Sequence, residues 1–363
     1  MIDYVKVRTR QPGFAQNLLS TTHLTFIDYH NGRGEKVGVK ATYCALTWYV
    51  FGSGLVEMEG SLHKCWNSQN GYDATNWNDF RRLDLFDVLD WLTQGFGLVL
   101  ASAMLHNVEF GVNLCLPPAP PTVRDLLSRL LFYGKGQAFV DKPVDRGCYK
   151  RMDSSDFYVK AYDKGAQYGT PDQRLRFEKG VICMKELNPP KRPALLTTLA
   201  DLTDPARLDQ LGSLLLTTYD RCFWAEQFDS VTLTPAEQKT VDLAHNVATW
   251  PTLTRIRRHR LRTDYDRIAD RCGYRISTYI REQISIKWTD LLELDCNVLR
   301  RGGMKRFTHL ENGVKRYITS PVEEGSDSQP NEEFSDSIKR DEPTVEEEVR
   351  QADETVYQHS FSI

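Results

Sequence analysis

The 363-residue chain is 40% hydrophobic and 11% aromatic, a composition that fills real cores and excludes a fibrous or largely unstructured protein. Its formal net charge of −3 hides a division: residues 319–363 carry 13 acidic and three basic side chains, net −10, while the rest is +7 (43 basic, 36 acidic). A basic body favours a polyanionic partner.

The start, Met1-Ile-Asp-Tyr-Val-Lys-Val-Arg8, reads as a strand rather than a secretory signal. Further strands are expected over residues 36–43 and 55–63. A helix follows, capped by Asn78 or Asp79, with Phe80, Leu83, Phe86, Val88, Leu89 and Leu92 on its apolar side. The most apolar stretch, residues 95–105, has about half the length of a membrane helix, so no membrane partner is expected. Next come a strand over 106–116, ended by Pro117 and Pro118, and a helix after Pro121-Thr122 carrying Val123, Leu126, Leu127, Leu130 and Leu131. Strands over 156–164 and 173–184 complete the unit. The eight cysteines contain no C-x-x-C pair and read as reduced, mostly buried thiols.

This order implies an α+β fold: a mostly antiparallel sheet with helices on one face, the other face being left for a site. Asn188-Pro-Pro-Lys-Arg-Pro193 reads as a hinge. The expected layout is a first domain over 1–187, a linker over 188–194, a mainly helical basic domain over 195–318 and an acidic tail over 319–363. Helices are expected over 206–219, after Leu233-Thr-Pro235, and as several short pieces up to residue 294. Gly302 to Phe307 and Asn312 to Tyr317 read as a small hairpin, and the tail is too polar to bury a core.

Strand parity carries the strongest signal, because side chains two apart share a face. Residues 55–63 set Glu57, Glu59, Ser61 and His63 against Val56, Met58 and Leu62; residues 106–114 set Asn107, Glu109, Gly111 and Asn113 against Val108, Phe110, Val112 and Leu114. Residues 157–164 set Tyr158, Lys160, Tyr162 and Lys164 against Phe157, Val159 and Ala161; residues 174–181 set Arg174, Arg176, Glu178 and Gly180 against Leu175, Phe177 and Val181. In one sheet, these strands would gather carboxylates, cations and tyrosines on a single face. A solvated face would also be polar. Glu109 and Glu178, however, stand singly among apolar neighbours, as oxygen ligands of a hard cation do. A tyrosine flanked by lysines suits nucleophilic attack on phosphorus.

Val159-Lys-Ala-Tyr-Asp-Lys-Gly-Ala-Gln167, followed by Leu175-Arg-Phe-Glu178, resembles the rolling-circle replication initiators of filamentous phages (the gene II protein family) and related plasmids. Val56 to Lys64 resembles that family's Val-Glu strand ending in lysine, Val108 to Val112 its strand with one acidic residue, and Met1-Ile-Asp3 its opening. The resemblance spans residues 1–185 and, more loosely, the basic helices after 250. It implies a metal-dependent enzyme that nicks one strand at an origin and later rejoins the displaced strand. Tyr162 would form a 5′-phosphotyrosine and leave a 3′-hydroxyl, and Lys164 would stabilise the phosphate or the phenolate. Glu109, Glu178 and thirdly Glu57 would hold Mg²⁺ or Mn²⁺, while Lys64, Lys160 and Arg176 would contact DNA. Tyr158 is open as a second nucleophile or a base-stacking residue. The implied partners are duplex and single-stranded origin DNA with host helicase and polymerase, in the cytoplasm of a bacterial host cell. The His-hydrophobe-His metal motif of many such initiators is absent, and His63, sharing the parity of Glu57, is the better histidine candidate.

Nine arginines lie between Arg255 and Arg281 against three aspartates. The densest run holds Arg255, Arg257, Arg258, Arg260 and Arg262, a pattern suited to phosphate; a helix-turn-helix-like unit is expected around Gly273. The alternatives are a mobilisation relaxase or transposase-like nickase, and a non-catalytic DNA-binding regulator. Absence of a glycine-rich phosphate loop argues against an ATP-driven helicase.

Overall fold

Alternating valines, aromatics and polar residues build the strands of the first half. These and the intervening helices are, in order, β1 (Ile2–Thr9), α1 (Phe14–Leu19), β2 (Ile27–His30), β3 (Lys36–Tyr43), β4 (Leu46–Phe51), β5 (Val56–Ser61), α2 (Leu62–Gln69), α3 (Arg82–Phe96) and β6 (Met104–Cys115). Then come α4 (Val123–Arg129), β7 (Leu130–Tyr133), β8 (Gln137–Ala138), β9 (Val140–Asp141), β10 (Tyr149–Asp153), β11 (Phe157–Asp163), α5 (Lys164–Tyr168) and β12 (Arg174–Val181). The later half contributes α6 (Pro205–Asp220), β13 (Cys222–Trp224), α7 (Pro235–His245), α8 (Arg255–Arg271) and α9 (Ile276–Leu292). The computed structural model describes residues 1–118, 121–228, 233–272 and 275–293. Gly273, the hairpin residues 302–317 and the tail 319–363 lie outside the described residues, and so do the expectations for them.

The fold is α+β. Ten strands form one antiparallel sheet in the order β2-β3-β4-β5-β1-β6-β12-β11-β10-β9, and β13-β7-β8 form a small second sheet. The apolar parity sets do share a core: Val56, Met58, Val108, Phe110, Val112, Val159, Ala161 and Phe177 pack with Leu85 and Val88 of α3, Leu211 and Leu215 of α6, and Ile280 and Ile284 of α9. The chain beyond 188–194 therefore does not build a core wholly its own. Asn188 braces that proline segment, donating to the Leu196 carbonyl (2.6 Å) and accepting from the Leu195 and Leu196 N–H groups. A satellite cluster joins Phe132 and Phe223 of the small sheet to Val241 of α7 and Leu261, Tyr265 and Ile268 of α8.

Several boundaries differ from the sequence expectations, each for a local reason. β5 ends at Ser61, whose hydroxyl caps α2 by accepting the Lys64 N–H (3.1 Å). His63 is thus helical and leaves the carboxylate face. It stacks on Phe80 and bonds Asn78 at 2.7 Å, and burial pushes its pKa down to about 3. β11 ends likewise at Asp163, which caps α5 and makes Lys164 the first residue of a helix. α3 begins at Arg82 rather than after Asn78 or Asp79, because Asp84 reaches back to the Arg81 N–H (2.7 Å). Leu130 and Leu131 leave α4 to pair as strand with Trp224 and its neighbours. The expected short helices near the end are two of 17 residues each, α8 and α9.

The α6–α9 contact ties the later half to the sheet. Trp288 is buried, donates from Nε1 to the Leu208 carbonyl (3.2 Å) and lies over Gly212, where a Cβ would meet the indole. Its ring also meets Phe110 of β6 edge-on at 6.2 Å. Trp288→Ala should cost about 3–5 kcal/mol, read as a lower midpoint of one cooperative thermal transition. A second, unshifted transition would mean that sheet and helices unfold separately.

Candidate active site

The antiparallel register sets three polar rows across β11, β12 and β6: Tyr158–Gly180–Glu109, Lys160–Glu178–Gly111 and Tyr162–Arg176–Asn113. Small residues make room for large ones. A Cβ at Gly180 would run into the Tyr158 ring, and one at Gly111 into Glu178.

Asp3 joins these rows from β1. Straight alternation would place it with Val5 and Val7 on the apolar side. The β1–β6 register slips between Ile2 and Val5, so Ile2 stays opposite Phe110 in the core while Asp3 turns to the polar face. There it accepts bonds from Ser61 Oγ (2.5 Å), Arg176 Nη2 (3.1 Å) and Asn76 Nδ2. Burial opposes ionisation of Asp3, but Arg176, His63 and Lys164 outweigh it and hold the carboxyl below the usual carboxylate range. One oxygen each of Asp3, Glu109 and Glu178 lie within 4.8 Å of one another. Hard divalent cations take oxygen ligands at about 2.0–2.6 Å, so this donor set fits a hard divalent cation. Lys160 lies among these acids, with Nζ 3.0 Å from Glu109 and 2.5 Å from Glu178.

Arg176 is fully buried. Its Nε donates to Glu178, Nη1 to Asn113 Oδ1 (3.0 Å) and Nη2 to Asp3. A guanidinium so buried and so engaged orients the two acids and is out of reach of DNA, contrary to the sequence expectation.

Beside the carboxylates, Tyr162 is only 7% exposed and stacks on Tyr149 with ring centroids 5.4 Å apart. Burial raises its phenol pKa well above the ordinary value, although Arg176 opposes this. Lys164 Nζ lies 3.2 Å from the Tyr162 hydroxyl and 2.5 Å from Asn76 Oδ1. Burial first, and the nearby Arg176 charge next, lower the Lys164 pKa to about 6. Its titration is thereby brought close to neutral pH. Tyr158 is half-buried, donates to Glu109 and lies under the Arg151 guanidinium, 3.9 Å from its ring centroid.

The structure thus brings Tyr162, Lys164, Glu109, Glu178, Lys160 and Arg176 together and leaves Glu57 out. Glu57 pairs with Arg8 (2.6 Å) and Lys6 (2.7 Å) near the far end of β1, and Asp3 takes its place. Lys64 is half-exposed on α2, close enough for its charge to act on Lys164. The arginine run is on α8, packed in the satellite cluster rather than at the carboxylates. Arg255, Arg257 and Arg260 are exposed. Arg258 holds the Trp250 and Leu253 carbonyls, and Arg262 pairs with Asp266 and covers Phe223. Sequence reasoning missed Asp3, Asn76, Tyr149 and Tyr168 as site residues. The single acid between Ile2 and Val5 was the available signal for Asp3.

Asp3→Asn should weaken Mn²⁺ binding, read by titration calorimetry, by about tenfold or more, whereas Glu57→Gln should leave it unchanged. The reverse pattern would make Glu57 the ligand.

No protein-family model and no curated protein matches this chain. Among solved structures it is similar to a rolling circle replication initiator protein from Geobacillus stearothermophilus, at 14% identity and a TM-score of 0.38, over 73% of this chain and 96% of that one.

Proposed function

We propose that this chain is a rolling-circle replication initiator that nicks one DNA strand at an origin, holds the 5′ end on Tyr162 and later rejoins the displaced strand. One observation carries the reading: Asp3, Glu109 and Glu178 converge on the sheet face that also holds Tyr162 against Lys164. A pure DNA-binding regulator needs neither arrangement.

In the proposed step the Tyr162 hydroxyl oxygen attacks phosphorus as its proton passes to the uncharged Lys164 amine, so that no free phenolate has to form in the buried pair. The Tyr162 O–P bond forms as the P–O3′ bond breaks, and the leaving 3′ oxygen takes a proton from water. The phosphotyrosine retains the phosphodiester's energy, so a 3′-hydroxyl can reverse the step. A divalent cation held by Asp3, Glu109 and Glu178 would supply Lewis-acid stabilisation of the charge on phosphate. Arg176 keeps Asp3 ionised and orients Glu178, and burial of the Tyr162–Lys164 pair excludes water. A second reading gives the attack to Tyr158, since its hydroxyl donates to Glu109 and its ring is more exposed.

The exposed arginines of α8 are proposed to hold duplex DNA. Its first turn carries Arg255, Arg257 and Arg258 and no acidic residue. Cations there oppose the helix dipole, and a phosphate relieves that repulsion.

Tyr162→Phe should retain DNA binding and abolish both nicking and the covalent adduct; digestion of a labelled adduct should yield the peptide containing Tyr162. A label on Tyr158 alone would favour the second reading, and cleavage with no adduct would make the enzyme a hydrolytic nuclease. Nicking should rise as pH passes through about 6, where Lys164 loses its proton, and then level off; a profile flat from pH 5 to 8 would rule out Lys164 as the proton acceptor.

Replacing Arg255, Arg257 and Arg260 by alanine should weaken duplex binding and reduce the log–log salt slope by about three units. An unchanged slope would put the duplex elsewhere.

A further inference from the structure

Residues 70–81 cross the polar face of the sheet beside the proposed active site. One amide fixes their main chain: Asn113 Nδ2 donates to the carbonyls of Asn76 (3.4 Å), Trp77 (3.1 Å) and Asn78 (3.0 Å). Arg174 adds a bond to the Trp77 carbonyl. The side chains flanking Trp77 turn inward. Asn76 reaches Asp3, Lys164 and Tyr168, while Asn78 reaches His63 and Asn67.

The Trp77 indole between them turns outward and is 39% exposed. One face is backed by the Arg174 guanidinium, 4.6 Å from the ring centroid, and that guanidinium is anchored to Asp172 at 3.2 Å. A second ring of the same segment, Tyr72, is 60% exposed and stacks on Trp66 at 6.1 Å. A lone exposed aromatic is ordinary. An indole with its main chain fixed, one face on a cation, one residue from a side chain touching the proposed metal and proton-transfer groups, is a prepared surface.

We propose that Trp77, backed by Arg174, is a stacking platform for an unpaired base of the single strand entering the active site. This rests on the reading given under Proposed function and adds the element that would distinguish single strand from duplex. Both faces of a base inside a duplex are already covered by its neighbours, so only an unpaired base presents a face to the indole. Stacking tolerates any base, because each has a π-face. The guanidinium beneath contributes cation–π attraction and positive potential toward the adjoining phosphate. With main chain and guanidinium held in place, little conformational freedom is left to lose on binding.

The test uses the full chain with a short fluorescein-labelled oligodeoxythymidine and a duplex of equal length, read by fluorescence anisotropy. Trp77→Ala should weaken the single strand about tenfold, Trp77→Phe should restore most of that loss, and duplex affinity should not change. An alanine variant with wild-type single-strand affinity overturns the proposal, as does an equal loss on both ligands. If the Trp77-dependent binding is present but the wild-type chain forms no covalent adduct with DNA, the platform stands and the nicking reading fails.

Discussion

A buried guanidinium cannot stand alone: removing one partner from such a group costs several kcal/mol, because it leaves an uncompensated charge in a poorly solvated place. Arg176 meets that constraint through three strands at once, bonding Asp3 of β1, Asn113 of β6 and Glu178 of its own strand. The carboxylates are drawn to a common point, and Asp3 is kept ionised despite its burial. The same positive charge also acts on Lys164, adding to the effect of burial in lowering that amine's pKa. One cation thereby pushes two neighbouring groups in opposite directions, Asp3 toward its charged form and, with burial as the larger cause, Lys164 toward its uncharged one. Pairs of groups driven apart in this way are a common mark of functional sites.

Neutral amides carry the next layer of contacts. Asn76 donates from Nδ2 to Asp3 while its Oδ1 accepts from Lys164 and from Tyr168 (2.7 Å). A carboxylate in this position would repel Asp3, and a lysine could not accept a bond; an amide does both tasks. Asn113 bonds three successive carbonyls of the crossing segment and accepts from Arg176, so that segment and the acids held by Arg176 share a partner. A change in that segment would reach Asp3 and Lys164 through one side chain.

The arginine-rich helix stands apart from this machinery. α8 buries Leu261, Tyr265 and Ile268 in the satellite cluster, whereas α9 buries Ile280, Ile284 and Trp288 in the main core. Two consecutive helices thus serve different cores: α9 supports the sheet, and α8 presents Arg255, Arg257 and Arg260 outward. Such a division suits a protein proposed to grip duplex DNA with one surface while another works on a melted strand.

The alternation of residues in β5, β6, β11 and β12 determined by itself which side of each strand is polar, because a two-residue period leaves no other choice once one face is apolar. It therefore put Glu109, Glu178 and Tyr162 on one face, and the apolar sets in the core. Alternation fails wherever the period breaks, and three breaks mattered. Hydroxyl and carboxylate caps at Ser61 and Asp163 turned strand into helix, removing His63 from the face and lifting Lys164 onto a helix end. A register slip in β1 moved Asp3 from the side its number implied to the opposite one. Only the tertiary structure decided that Arg176 is internal, that Asp3 rather than Glu57 lies beside Glu109 and Glu178, and that α9 completes the core of a sheet far earlier in the chain. The reason is the same each time: burial and partner choice depend on residues distant in sequence, which a local period does not record.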